Sequence, residues 1–217
     1  QLKAQKTVQY EIGLWQELFT GFGFEMALYY RDIYDLLSTR VIATYNQVEY
    51  GLYTNKDYGN TKGMEIKADY ATGSWFAYLN YTLQYTRGNA DNPTQNFNRE
   101  GQNLDPVNRL IAMSWDQRHT LNASVGFHRH NYGITATGYY NSGTPYYWVP
   151  IQTSRLININ LPPNNDYKPA TISLDMSAWY KMQLTGRIGL EFSLRAYNLL
   201  DRLNEYYVNQ NTGRAYT

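Results

Sequence analysis

The chain has 217 residues and is 16% aromatic, with 23 Tyr, 5 Trp and 7 Phe, yet its mean hydropathy is only −0.59. A formal net charge of +1 gives no electrostatic case for a nucleic-acid partner, and the lack of cysteine excludes disulfide frameworks and thiolate metal sites. No run approaches the roughly 20 apolar residues of a membrane helix, and Ile33–Leu37, the longest candidate, is broken by Asp35.

Period-two alternation dominates the chain. In the first segment Val8, Tyr10, Ile12 and Leu14 share one face, and Gln9, Glu11 and Gly13 take the other. A turn near residues 16–21 leads to a second segment with Phe22, Phe24, Met26, Leu28 and Tyr30 opposite Glu25, Tyr29 and Arg31. The third sets Met64, Ile66, Ala68 and Tyr70 against Glu65, Lys67 and Asp69, then reverses at Ala71–Ser74. The fourth carries Trp75, Ala77, Leu79, Tyr81, Leu83 and Tyr85, with Tyr78, Asn80, Thr82 and Gln84 behind them. A fifth and sixth segment, joined near residues 129–132, show Leu121, Ala123, Val125 and Phe127, then Ile134, Ala136, Gly138 and Tyr140. The last pair, joined near residues 183–186, shows Ile172, Leu174, Met176 and Ala178, then Ile188, Leu190, Phe192, Leu194 and Ala196.

This pattern predicts eight strands of roughly 9–14 residues, long enough to cross a bilayer when tilted, and no helical periodicity. Average soluble strands run to about 5–6 residues. The connections alternate too. Tight turns follow the odd strands, and long loops over residues 38–57, 87–116 and 141–168 follow the even ones. Such alternation, with apolar and polar faces and abundant Tyr and Trp, predicts an all-β fold: an antiparallel transmembrane β-barrel with turns at one edge and loops at the other. A soluble β-sandwich is the alternative, but its strands are shorter and nothing would gather its long loops at one end. Residues 1–6 are polar and hold no leader, so either one has been removed or the chain begins partway into a longer protein.

Five motifs then point to one family. Asp116–Asn122 (DQRHTLN) after Trp115, Tyr29–Ile33 (YYRDI) with Asp35-Leu36-Leu37, and Asn60–Glu65 (NTKGME) are the first three. Tyr140–Tyr146 (YNSGTPY) and Tyr197–Asn204 (YNLLDRLN), with Thr212-Gly213-Arg214 downstream, complete the set. In this order they resemble the C-terminal barrel region of TonB-dependent outer-membrane receptors. The resemblance implies a portion of a barrel of about 22 strands, residues 1–217 forming part of that single domain with the plug domain absent. It also implies a bacterial outer-membrane location and uptake of a scarce nutrient such as a siderophore, cobalamin, glycan or peptide. The implied partners are outer-membrane lipid, the plug and the TonB complex.

Candidate site residues fall into two groups. Glu11, Glu25, Arg31, Glu65, Lys67, Arg187, Glu191 and Arg195, with Asp175 and Lys181, face inward and either grip a plug or form a solvated wall of paired charges. In the loops, Tyr50, Tyr53, Tyr146, Tyr147 and Trp148 form either a ligand platform or packing and interface anchors, and Arg99, Arg109 and Arg155 are candidates for an anionic ligand. His119, His128 and His130 lack a third ligand nearby in sequence and are read as structural, with Asp116, Arg118 and His119 as a hydrogen-bonded junction. No nucleophile elbow, HExxH motif or phosphate-binding glycine loop occurs, so no enzyme activity, metal or cofactor is expected. The rival functions are a complete small barrel acting as adhesin or structural protein, which requires the first and last strands to pair, and a barrel-embedded enzyme.

Overall fold

The computed structural model describes residues 2–46, 49–102, 104–150 and 161–217. Eight long strands run in sequence order: β1 (Lys6–Phe19), β2 (Phe22–Ala43), β3 (Glu49–Thr72), β4 (Trp75–Gly88), β5 (His119–Arg129), β6 (Tyr132–Asn141), β7 (Thr171–Thr185) and β8 (Ile188–Ala196). Each pairs antiparallel with its neighbours in one continuous sheet, and the short stretch Ile111–Ala112 adds to β4. Strands β1 and β8 do not pair with each other among the described residues, so the sheet is open. That removes the closed eight-stranded barrel that an adhesin reading requires.

Register keeps the two faces apart. Across one row Leu14, Met26, Ile66, Tyr81, Leu121, Tyr140 and Ile172 are successive cross-strand partners. Next to it Gly13, Ala27, Glu65, Thr82, Thr120 and Asn141 form the opposite face. A one-residue slip would exchange every member of these sets, so register is strongly specified. The apolar face is not covered by protein: Ile12 is 72% exposed, Phe192 58% and Leu194 72%. An apolar surface this extensive cannot rest in water, but it matches hydrocarbon.

The four short turns share one edge. Gly21 accepts a backbone bond from Ala71, Ser74 one from His128, and Asn131 one from Lys181, which ties the turns side by side. Gly21 needs its lack of side chain: its φ is +82°, and a Cβ there would strike the Ala71 carbonyl. At the other edge the loops hold most of the buried apolar residues, among them Ala90, Val107, Ile111, Ala112 and Met113.

The structure corrects two expectations. The segment 38–57 is mostly strand, because β2 continues to Ala43 and β3 starts at Glu49, with a left-handed residue, Asp35 (φ 58°), absorbing the register shift. Tyr50 and Tyr53 therefore lie in β3 and not in a loop. The second loop also contains a short helix, α1 (Gln95–Gly101). Seven residues make only two turns, too few to leave a periodic signal. Tertiary bonds hold it instead: buried Arg99 donates from Nε to the Asp105 carbonyl (3.1 Å) and from Nη1 to that of Leu161 (3.4 Å).

Candidate functional site

Two surfaces carry the candidate residues, the polar face of the wall and the loop cluster above it. On the wall, alternation turns Glu11, Glu25, Arg31, Glu65, Lys67, Glu191 and Arg195 to the same side of the sheet. Cross-strand neighbours then pair. Lys67 Nζ lies 3.0 Å from Glu25 Oε1, and Lys181 Nζ 3.5 Å from Glu191 Oε2. Arg31 donates from Nε and Nη2 to Gln9 Oε1 (3.0 and 2.7 Å), and Gln9 Nε2 donates to Glu11 Oε2 (2.8 Å). Both ion pairs are about half exposed, so each contributes well under roughly 1 kcal/mol. Arg195 faces Ser177 across the strands without an ion pair among the described residues, and Arg187 stands in the β7–β8 turn, outside both strands. The wall therefore carries charges of both signs, with carboxylates in excess, and is patterned by hydrogen bonds, including Tyr29 to Gln84 (3.3 Å) and Ser124 with Thr137 (2.9 Å).

Two aromatic residues on this polar face, Phe76 and Trp179, escaped the sequence reading. Phe76 lies over Gly126 and beside His128, with ring centroids 6.2 Å apart. Trp179 lies over Gly133, where an added Cβ would sit 2.6 Å from the indole Nε1. Lys181 Nζ is 5.1 Å from the centre of the same indole. Both glycines are seats for a neighbouring ring. The signal was present in alternation, since residues 76 and 179 have the parity of the polar set.

The loop cluster is held by short strand pairings and by side-chain hydrogen bonds between loops. Pro145–Tyr146 pairs with Asp166–Tyr167, and Tyr207–Val208 with Ala215–Tyr216. Val149 donates to the Gln210 carbonyl, linking the third loop to the C-terminal hairpin. Asn164 Nδ2 reaches both Asp91 Oδ2 (2.6 Å) and the Ala112 carbonyl (2.8 Å), which joins the second and third loops. Between them lies a cleft of about 360 Å3 lined by Asp91, Tyr146, Tyr147, Asn164, Lys168 and Gln210.

Within this cluster Tyr146 is buried and donates to Asp166 Oδ2 at 2.8 Å. Burial first, and then that hydrogen bond, push its phenol up to about 12. Tyr147 donates to the Leu161 carbonyl (3.4 Å), and Trp148 exchanges backbone bonds with the Asn165 side chain (2.8 and 3.0 Å). Tyr146, Tyr147 and Trp148 are thus one group. Tyr50 and Tyr53 are separate: they project from opposite faces of β3, opposite Ile42 and Thr39 respectively. Arg109 is exposed in the second loop, and Arg155 falls outside the described residues.

The junction of loop and strand is the most buried ionic site. Asp116 is fully buried; its Oδ1 accepts the Thr86 amide (2.6 Å) and its Oδ2 lies 3.2 Å from Arg118 Nε. Arg118 covers the Tyr85 ring at 4.5 Å and donates from Nη2 to the Tyr167 hydroxyl at 2.8 Å. His119 belongs to the same junction through Tyr81 Oη (2.9 Å), while His128 stands at the turn edge. No three His, Cys, Asp or Glu side chains gather as a metal site among the described residues.

Comparison with known proteins places this geometry. The profile of the family described as "TonB dependent receptor-like, beta-barrel" matches residues 1–199. No curated protein matches the chain. Among solved structures, the chain is similar to the ferric-catecholate import receptor Fiu from E. coli K12, at TM-score 0.63 and 17% identity over 99% of this chain and 26% of that one. It is also similar to the FrpB iron transporter from Neisseria meningitidis, F3-3 variant, at TM-score 0.60 and 17% identity over 99% of this chain and 30% of that one. The chain thus spans less than a third of the length of these structures. The sheet order, the lipid-compatible face and the profile match agree: the chain belongs to the TonB-dependent receptor β-barrel family.

Proposed function

We propose that this chain forms part of the barrel wall and outer loops of a bacterial outer-membrane receptor that imports a scarce nutrient with energy delivered by the TonB complex. The carrying observation is the two-sided sheet, apolar and bare on one face and hydrogen-bonded and charged on the other, with its four tight turns at one edge. In this reading the wall is one portion of a single barrel domain, and the loops capture ligand. Rearrangement of a plug against the polar face then opens the path inward. Tyr146, Tyr147 and Trp148 form the capture group around the loop cleft, and Glu25, Lys67, Glu191 and Arg195 form the plug-facing surface. The substrate is a compact molecule such as a siderophore, cobalamin, glycan or peptide, and the likeness to a ferric-catecholate import receptor and an iron transporter favours testing iron carriers first.

The test uses the full-length receptor in cells. Deleting residues 161–168 should leave the protein in the outer-membrane fraction while abolishing receptor-dependent growth on the limiting nutrient. Growth unchanged across iron, cobalamin and glycan limitation, with the receptor present or deleted, would refute uptake as its role. Reversing Glu191 or Arg195 should alter protease protection of the plug; unchanged protection and uptake would remove the wall from the plug contact.

A further inference from the structure

The lipid-facing side of a barrel wall is normally free of charge, because a cation on the hydrocarbon face is costly unless it reaches an anion or the headgroup layer. Near the loop edge three cations break that rule around one ring. Lys62 is the cross-strand partner of Tyr85. Arg87 follows Tyr85 by two residues along β4, so it shares that face and lies diagonally across from Lys62, about 7–8 Å away between backbones. Arg118 lies over the Tyr85 ring itself. Below them the same face continues through Leu83, Met64 and Leu28 into the apolar zone.

The anions of the structure leave this group underpaired. Asp116 is buried against Arg118 and neutralises it. Asp32, two strands from Arg87 in the same row, accepts the Tyr58 hydroxyl. Lys62 and Arg87 have no ion pair among the described residues, and Lys62 is exposed. Two long, unpaired cationic side chains flanking a tyrosine, just above an apolar wall, fit an anion with its own apolar tail. The guanidinium of Arg87 can take two phosphate oxygens as a fork, and the Lys62 ammonium supplies a point charge beside it.

We propose that Lys62 and Arg87, with Tyr85 and Arg118 as their floor, bind the phosphate-bearing headgroup of an outer-leaflet lipid. The site rests on the outer-membrane reading and adds to it one lipid with defined contacts. The bound lipid covers the outer side of the Asp116–Arg118 junction and so braces the base of the second loop from the membrane side.

The experiment reconstitutes the full-length receptor into phosphatidylcholine vesicles with or without phosphatidic acid, then measures retained lipid by native mass spectrometry. Phosphatidic acid should be retained selectively. The Lys62→Gln/Arg87→Gln variant should bind it about twenty-five-fold more weakly, at about a five-fold loss per cation, while still floating with vesicles. Lys62→Arg/Arg87→Lys should restore binding, and added salt should weaken it. Retention by the double glutamine variant within two-fold of the parent overturns the site. Displacement of the lipid by equimolar inorganic phosphate would show recognition of phosphate alone and overturns the lipid assignment. A receptor that does not float with phosphatidylcholine vesicles at all sinks the membrane reading and this site with it.

Discussion

Asp116→Ala offers the sharpest test of how the loops are fixed to the wall. Its carboxylate is fully buried and has two duties: it accepts the Thr86 amide, and it faces Arg118. Removing it leaves a buried backbone N–H unpaired, which costs about 1–3 kcal/mol. The Arg118 contribution adds only about 1 kcal/mol, because that side chain is a quarter exposed and keeps its contacts with Tyr85 and Tyr167. Together these give about 2–4 kcal/mol of local destabilisation. Hydrogen exchange at the Thr86 amide in micelle-bound receptor should then accelerate about 30- to 1000-fold, at 1.36 kcal/mol per factor of ten. Asp116→Asn keeps an oxygen for the amide and should cost only about 1 kcal/mol. Exchange within three-fold of the parent in the alanine variant, or equal effects of the two substitutions, would falsify the account.

The remaining tests separate the two faces and the loop cluster. Leu194→Arg places a cation on the bare apolar face and should cost about 2–4 kcal/mol in a bilayer, whereas Ser193→Arg on the polar face should cost under about 1 kcal/mol; urea unfolding of the vesicle-bound receptor decides, and equal costs would contradict the two-sided wall. Gly133→Val should displace the Trp179 indole, red-shifting its fluorescence and costing about 1–3 kcal/mol, and an unshifted spectrum would show that the ring does not rest there. Glu25→Lys sets two ammonium groups together but should cost only about 0.5–1 kcal/mol, because the pair is roughly 40% exposed; a thermal-shift loss several times larger would mean that the wall is drier than described. The Tyr146 phenol is held above its ordinary value, so its contribution to loop stability is complete below pH 10 and declines as pH rises from 10 towards 12. An ultraviolet phenolate titration compared with Tyr146→Phe should show one late-titrating tyrosine, and identical curves would remove this contribution.

The strands were legible because each residue faces one of two environments, and a period of two records that choice directly. Met26, Ile66 and Tyr81 fall in one row, as their parity predicts. The top of the wall was less legible for a specific reason: Asp35 takes a left-handed conformation and shifts the pairing, so a segment resembling a strand end continues as strand to Ala43. The loops left almost no trace in local sequence. Asn164 finds Asp91 73 residues away, and Arg99 finds the Leu161 carbonyl 62 away, contacts that no periodicity encodes. Asp116, Arg118 and His119 were recognisable as a junction because they crowd a strand entry, but the buried Thr86 amide that gives Asp116 its weight lies on another strand.

The long β2–β3 hairpin changes how the molecule meets its surroundings. Beyond Tyr34, where β1 stops pairing, β2 runs nine more residues, about 30 Å along its own axis. Past Gly59 β3 also leaves β4 behind, so a two-stranded ribbon stands clear of the wall, steadied near its base by Lys3 against Asn55 and higher up by Phe97 against Gly51. A two-stranded ribbon with no third strand beside it is only marginally held, so its amides should exchange with solvent well before those of the wall beneath.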